Sequence, residues 1–165
     1  MVTRVAKIAL VGGIAVDYAL VVFNNLTDFN SNYLLVRHVL AMDTTFPGNH
    51  GMGRAITAPW LQLVFYVGII AWEIVTTILL GWGAARLFGA RRATPAAFDR
   101  AKNVAVLALL LSLLLWLVAF LAVGGEWFLM WQSREWNGQD AAFRMFAVVG
   151  IVLLFVNQPE RETKP

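Results

Sequence analysis

The apolar positions of this chain are gathered into four long blocks, at about residues 5–23, 59–85, 95–131 and 141–156, instead of alternating or recurring at amphipathic spacing. Blocks of that length are what a bilayer selects, since about 1.5 Å of rise per residue must cross roughly 30 Å of hydrocarbon. The pattern predicts an all-α membrane protein: one four-transmembrane-helix bundle over residues 1–157, followed by a short tail, residues 158–165.

The polar punctuation refines this. Residues 24–58 are too long for a hairpin turn. Ser31 can cap a short helix reaching about Met42, with Leu35, Val36, Val39 and Leu40 on one face and Arg37 and His38 elsewhere. That predicts an amphipathic helix in the first outer loop, on the membrane surface or across the bundle mouth. Thr44–Gly53, with Pro47, Gly48, Gly51 and Gly53, reads as irregular loop. Thr94 and Pro95 open the third long helix. Asn137-Gly138 marks a turn, Asp140 can cap the fourth helix, and the polar stretch Asn157–Pro165 is expected to be disordered.

Of 165 residues, 59% are hydrophobic and 14% charged, with a formal charge of +3. The basic residues flank apolar blocks, where they orient the chain and meet anionic headgroups, so nucleic acid is not an expected partner. Arg86, Arg91, Arg92, Arg100 and Lys102 crowd the second connection, which predicts a bacterial inner-membrane protein with both termini cytoplasmic. Trp60, Trp127, Trp131 and Trp136 then form an aromatic belt on the outer side. The first block resembles a signal peptide, but no small-x-small cleavage site follows it, so it is read as a retained helix. The absence of cysteine excludes disulfides, thiol relays, iron-sulfur clusters and thiolate zinc sites.

Candidate chemistry lies in charges inside the apolar blocks. A carboxylate facing lipid is costly, so Asp17, Glu73 and Glu126 are expected to face inward, roughly 10, 20 and 8 Å from the outer ends of their helices. Arg144, one turn inside the fourth helix, can join Asp17 and Glu126, with Arg37, His38 and Arg54 completing an outward-facing polar network or ligand pocket. The same charges can equally serve as a structural ion-pair network. His38, Asp43, His50 and Glu126 are a candidate metal set by residue type, although their spacing fixes no geometry. No nucleotide motif is present, because the Gly48–Gly53 stretch lacks the strand and the lysine of a phosphate loop. Neither histidine lies in an apolar block to hold haem. Gly12, Gly13, Gly81, Gly83 and Ala84 allow close helix approach, within the bundle or to a partner.

Two strings carry a resemblance: Val36–Asn49 (VRHVLAMDTTFPGN) and Gly124–Arg144 (GGEWFLMWQSREWNGQDAAFR). With Asn25–Asp28 and Glu73, they resemble the bacterial predicted small integral membrane protein family, domain of unknown function 2165. The resemblance spans nearly the whole chain and implies a compact four-helix membrane protein with its distinctive residues on the outer side. It implies no activity, substrate or cofactor. The sequence thus leads to a non-enzymatic accessory or interaction subunit, working with partner membrane subunits or as a homo-oligomer. A transporter or binding protein for a small polar solute, ion or proton is the first alternative, and a metal-dependent membrane enzyme the second.

Overall fold

The computed structural model describes residues 1–160, and among them the secondary structure is entirely helical. Helix α1 runs Val2–Thr27, α2 Phe29–Ala41, α3 Pro59–Gly89, α4 Pro95–Ala101, α5 Asn103–Leu114 and α6 Gln139–Asn157. A π-helical segment, Leu115–Trp127, continues α5, and short 3-10 turns occupy His50–Arg54 and Met130–Gln132. Four stretches are long and apolar enough to cross a membrane: Val2–Thr27, Pro59–Gly89, Pro95–Trp127 and Gln139–Asn157.

α1 packs along α3, α3 along α5, and α5 with its π-helical continuation along α6, leaving the α1–α6 seam the slightest contact in the ring. Lipid tails are as apolar as leucine, so this packing rests on fit and polar contacts more than on hydrophobic exclusion. The tightest approach is at Gly83, where a Cβ would stand 2.8 Å from the Ala105 backbone. Gly12, Gly13 and Gly81 meet nothing within 4 Å, so of these glycines only Gly83 serves packing inside the chain. The central core is formed by Val11, Ile14, Tyr18, Leu80, Ala105, Leu109, Val149 and their neighbours.

Several expected boundaries shift. The third long helix ends at Trp127 and is not uniformly α-helical: its winding changes at Lys102, between α4 and α5, and the π-helical turns end with Phe128 N–H donating to the Val123 carbonyl at 2.9 Å, an i to i−5 bond. Thr94 does accept from Ala97 N–H and Pro95 does open α4. Ser31 does not cap α2; the N-cap is Asp28, whose carboxylate accepts from the Ser31 hydroxyl at 2.6 Å. Asp140 lies in the first turn of α6 behind the N-cap Gly138. α2 does cross the bundle mouth, burying Val36, Val39 and Leu40 against Tyr66, Ile70, Phe128 and Met130. It ends at Met42 in the left-handed region, φ 53°, a conformation a non-glycine residue holds only where its surroundings fix it.

Both described chain ends meet at one end of the bundle. Arg4 Nε pairs with Glu160 at 3.0 Å and Lys7 Nζ with the same carboxylate at 2.7 Å. Lys7 and Lys102 each donate to the Gln158 carbonyl, at 2.7 and 2.6 Å, and Lys102 also pairs with Asp99 at 2.6 Å. The expectation of a disordered tail from Asn157 therefore fails for Gln158–Glu160, which close a buried ionic clamp; residues 161–165 lie outside the described residues. It also means that Arg4 and Lys102 serve internal pairing instead of facing headgroups, whereas Arg86, Arg92 and Arg100 stay exposed. Burial would raise the Glu160 carboxyl, but hydrogen bonds from Lys7 and Arg4 and the charges of Lys7 and Lys102 outweigh it and hold it below its ordinary value of 4.5.

Candidate functional site

Within the apolar block of α3, Gln62, Tyr66, Glu73 and Thr76 are all buried, so the half of this helix nearer the loop end turns its polar residues inward, while Leu80, Gly83 and Leu87 fill the inward face of the other half. Glu73 is 2% exposed, near the middle of its span. Its carboxylate accepts from Asn25 Nδ2 of α1 at 2.7 Å. The Asn25 carbonyl oxygen in turn accepts from Asn32 Nδ2 at 2.6 Å and from the Tyr66 hydroxyl at 3.3 Å. Asn32 lies exposed on α2, so a line of neutral amides runs from the loop end of the bundle to a carboxylate in its interior. Among the described residues no cation pairs with Glu73.

One turn further along α3, Thr76 is fully buried and its Oγ1 has no hydrogen-bond partner. Residues three apart on a helix share a face, with Cβ atoms about 5–6 Å apart. Tyr18, also buried, shares a hydrogen with Ser112 across 2.6 Å and accepts from Trp116 Nε1 at 2.9 Å, tying α1 to α5. Among the described residues, the middle of the bundle thus holds one carboxylate, one unsatisfied hydroxyl and a set of satisfied neutral groups.

The remaining charges expected in this network are elsewhere. Asp17, Glu126 and Arg144 are exposed on their helices, and among the described residues none of them forms an ion pair. Helical phase decides this: on α1 the inward stripe is Lys7, Val11, Ile14, Tyr18 and Asn25, which leaves Asp17 to one side. Arg37 is exposed on a surface cleft of about 310 Å³ that Tyr33, Asp43 and Gln62 also line. Arg54 lies over the Trp127 ring at 5.3 Å. The expected network of Asp17, Glu126 and Arg144 with Arg37, His38 and Arg54 does not assemble; Glu73 alone of the three carboxylates is interior.

The metal set does not assemble either. No group of three or more histidine, aspartate or glutamate side chains is placed to hold an ion among the described residues. His38 Nδ1 pairs with Asp43 at 2.9 Å and its ring stacks on Trp136 at 4.6 Å, while His50 and Glu126 are exposed apart from them. The nearby Ser133 hydroxyl accepts from Thr44 and from Trp136 N–H, both at 2.9 Å, and so is engaged in holding loops. Phe46 N–H donates to Gln132 at 3.0 Å and the Phe46 ring meets Trp131 edge-on. These contacts join the Val36–Asn49 and Gly124–Arg144 strings into one cap. Trp136 is thereby drawn out of the aromatic belt, while Trp60, Trp127 and Trp131 remain exposed.

An apolar recess of about 250 Å³ lies beside this cap, walled by Val36, Val39, Phe65, Ile69, Val123 and Phe128 among others. Sequence reasoning missed Asn25 as the partner of Glu73, Asn32 and Tyr66 as the donors that hold Asn25, and Thr76 as a buried hydroxyl one turn from Glu73. The signal was present: Gln62, Tyr66, Glu73 and Thr76 recur at helical spacing along an otherwise apolar block, which marks the inward face.

A family model described as predicted small integral membrane protein, a domain of unknown function, matches residues 3–159. No curated protein and no solved structure matches the chain.

Proposed function

The chain belongs to the family of predicted small integral membrane proteins, and from that premise we propose that it is a non-enzymatic multi-pass membrane protein that takes up a proton or small cation at Glu73. The observation carrying this reading is the pairing of a buried carboxylate that has only neutral partners with a buried hydroxyl that has none. An uncompensated carboxylate in a dry bundle is expensive, and a proton or a cation with oxygen ligands relieves the cost. Glu73 Oε atoms and Thr76 Oγ1 are hard donors suited to such an ion. The hydrogen bonds from Asn32 through Asn25 to Glu73 support access to the carboxylate from the loop end.

The same reading puts the protein in a bacterial inner membrane with both ends cytoplasmic and the loop end outside. Exposed Arg86, Arg92 and Arg100 at the end that carries the termini, and exposed Trp60, Trp127 and Trp131 at the other, support this orientation.

Infrared difference spectra of the purified protein in lipid test the site directly. Stepping pH, or adding sodium or potassium, is expected to change a carboxyl or carboxylate band that Glu73→Gln removes. Thr76→Val is expected to weaken the cation response and spare the proton response. Spectra identical in wild type and Glu73→Gln under every condition would overturn the proposal.

A second reading, an accessory or interaction subunit, is favoured by Asp17 and Arg144. Both are charges within spanning helices that the chain leaves on its own lipid-facing surface.

A further inference from the structure

Charge placement along the bundle is uneven. At the end where the described termini meet, Arg4, Lys7, Asp99, Lys102 and Glu160 are all paired within the chain. Toward the other end, Asp17 on α1, Arg144 one turn inside α6, and Glu126 at the end of its span are exposed and, among the described residues, unpaired; of these, Asp17 and Arg144 lie inside their helices. Each is expensive against lipid, and they are opposite in sign.

Their levels also correspond. The Lys7 Nζ bond to the Gln158 carbonyl, 2.7 Å, sets the ends of α1 and α6 side by side. From there, at about 1.5 Å per residue, Asp17 lies roughly 15 Å and Arg144 roughly 21 Å along the bundle. The offset is about one helical turn, within the span of an arginine side chain. Around Asp17 the exposed face continues through Gly13 and Ala9 at intervals of four, and around Arg144 through Val148 and Ile151. The first face has a low strip at Ala9 and Gly13, bordered by exposed Leu10 and Leu20, and carries an acid; the other is ridged and carries a base. The first lets a neighbouring helix approach closely.

From this complementarity we infer that two copies of the chain associate side by side, with Asp17 of each copy paired to Arg144 of the other. Copies inserted with the same topology hold these residues at the same depth. A two-fold axis along the bundle then makes both pairs at once, as an isologous interface requires. The inference rests on the interaction-subunit reading and names its partner as a second copy. It is independent of the Glu73 site.

Charge reversal between differently tagged chains, read by native mass spectrometry from lipid discs, tests it. The wild type is expected to be dimeric, and Asp17→Arg alone or Arg144→Asp alone monomeric. Co-expressed, the two reversed chains are expected to recover a mixed dimer, because the substitutions restore both opposite-charge pairs between copies and neither within one. Asp17→Asn is a milder variant; loss of two interhelical polar pairs is expected to weaken the dimer roughly thirtyfold or more. The chain has no cysteine, so a Gly13→Cys chain and a Val148→Cys chain can also be crosslinked without background. A wild type that stays monomeric in lipid, reversed chains that stay dimeric, or folded reversed chains that do not complement would each overturn the inference. A monomer bound stoichiometrically to a different polypeptide would overturn it while leaving the interaction reading in place.

Discussion

At position 73 the side chain is fixed less by charge than by amide geometry. Asn25 gives its N–H to the carboxylate and its oxygen to Asn32 and Tyr66, so one residue organises the interior polar cluster. Asn25→Ala is therefore expected to cost about 2–3 kcal/mol, the penalty for leaving buried polar groups without partners. Tyr66→Phe, which removes one long bond, should cost about 0.5–1.5 kcal/mol. Unfolding in detergent would measure both, and if Asn25 acts through Glu73, its cost shrinks in a Glu73→Gln background. Equal costs in the two backgrounds would contradict that coupling. Glu73 was legible in the sequence as an interior carboxylate because it lies near the middle of its apolar block and shares a helical face with the polar residues Gln62, Tyr66 and Thr76. Asp17 was not: the cost of exposing a charge to lipid constrains the assembly, and a second copy can meet it as well as the chain's own fold can.

Among the elements, α3 carries the most structural information. Its buried face is polar toward the loop end, at Gln62, Tyr66, Glu73 and Thr76, and small or apolar toward the other, at Leu80, Gly83 and Leu87. Gly83 admits the Ala105 backbone of α5, so Gly83→Ala is expected to destabilise the bundle by about 1–3 kcal/mol through overpacking. Gly81→Ala, with open space around it, should be neutral or slightly stabilising by helix propensity. Thermal melts of the two variants separate these outcomes, and equal losses would show that α3 and α5 do not meet as described. The amphipathic pattern of α2 was readable from Val36, Val39 and Leu40, and the structure seats that face on the bundle mouth. The division of the third block into α4, α5 and π-helical turns had no signal in hydropathy, because apolar side chains suit all three backbones.

On the scale of the molecule, the described termini are joined by the clamp of Arg4, Lys7, Lys102 and Glu160. Glu160→Gln would leave Lys7 without its counter-charge but with the Gln158 carbonyl, and a loss of about 1–3 kcal/mol is expected, as for a part-buried charged hydrogen bond. The pH dependence follows from the Glu160 shift. Its folded-state value lies below the ordinary 4.5, so the clamp's contribution is complete above that value and disappears as pH falls through the lower folded one. Melting temperature followed from pH 7 downward should drop in that acidic window in the wild type, and the drop should be smaller in Glu160→Gln. A profile unchanged by the substitution would remove the clamp from the stability argument.

Hydropathy alone determined the four membrane-spanning helices and the amphipathic character of α2, because lipid solvent acts on each segment's composition without reference to its neighbours. The tertiary structure alone decided which charges are interior. A helix has one inward face, set by its packing phase against its neighbours, and that phase admitted Glu73 and excluded Asp17 and Arg144; contact with Arg4, Lys7 and Lys102 drew Glu160 from a polar tail into an ionic clamp. Pairings between residues distant in sequence, such as Asn25 with Glu73 and Lys7 with Glu160, come into being only when the helices meet.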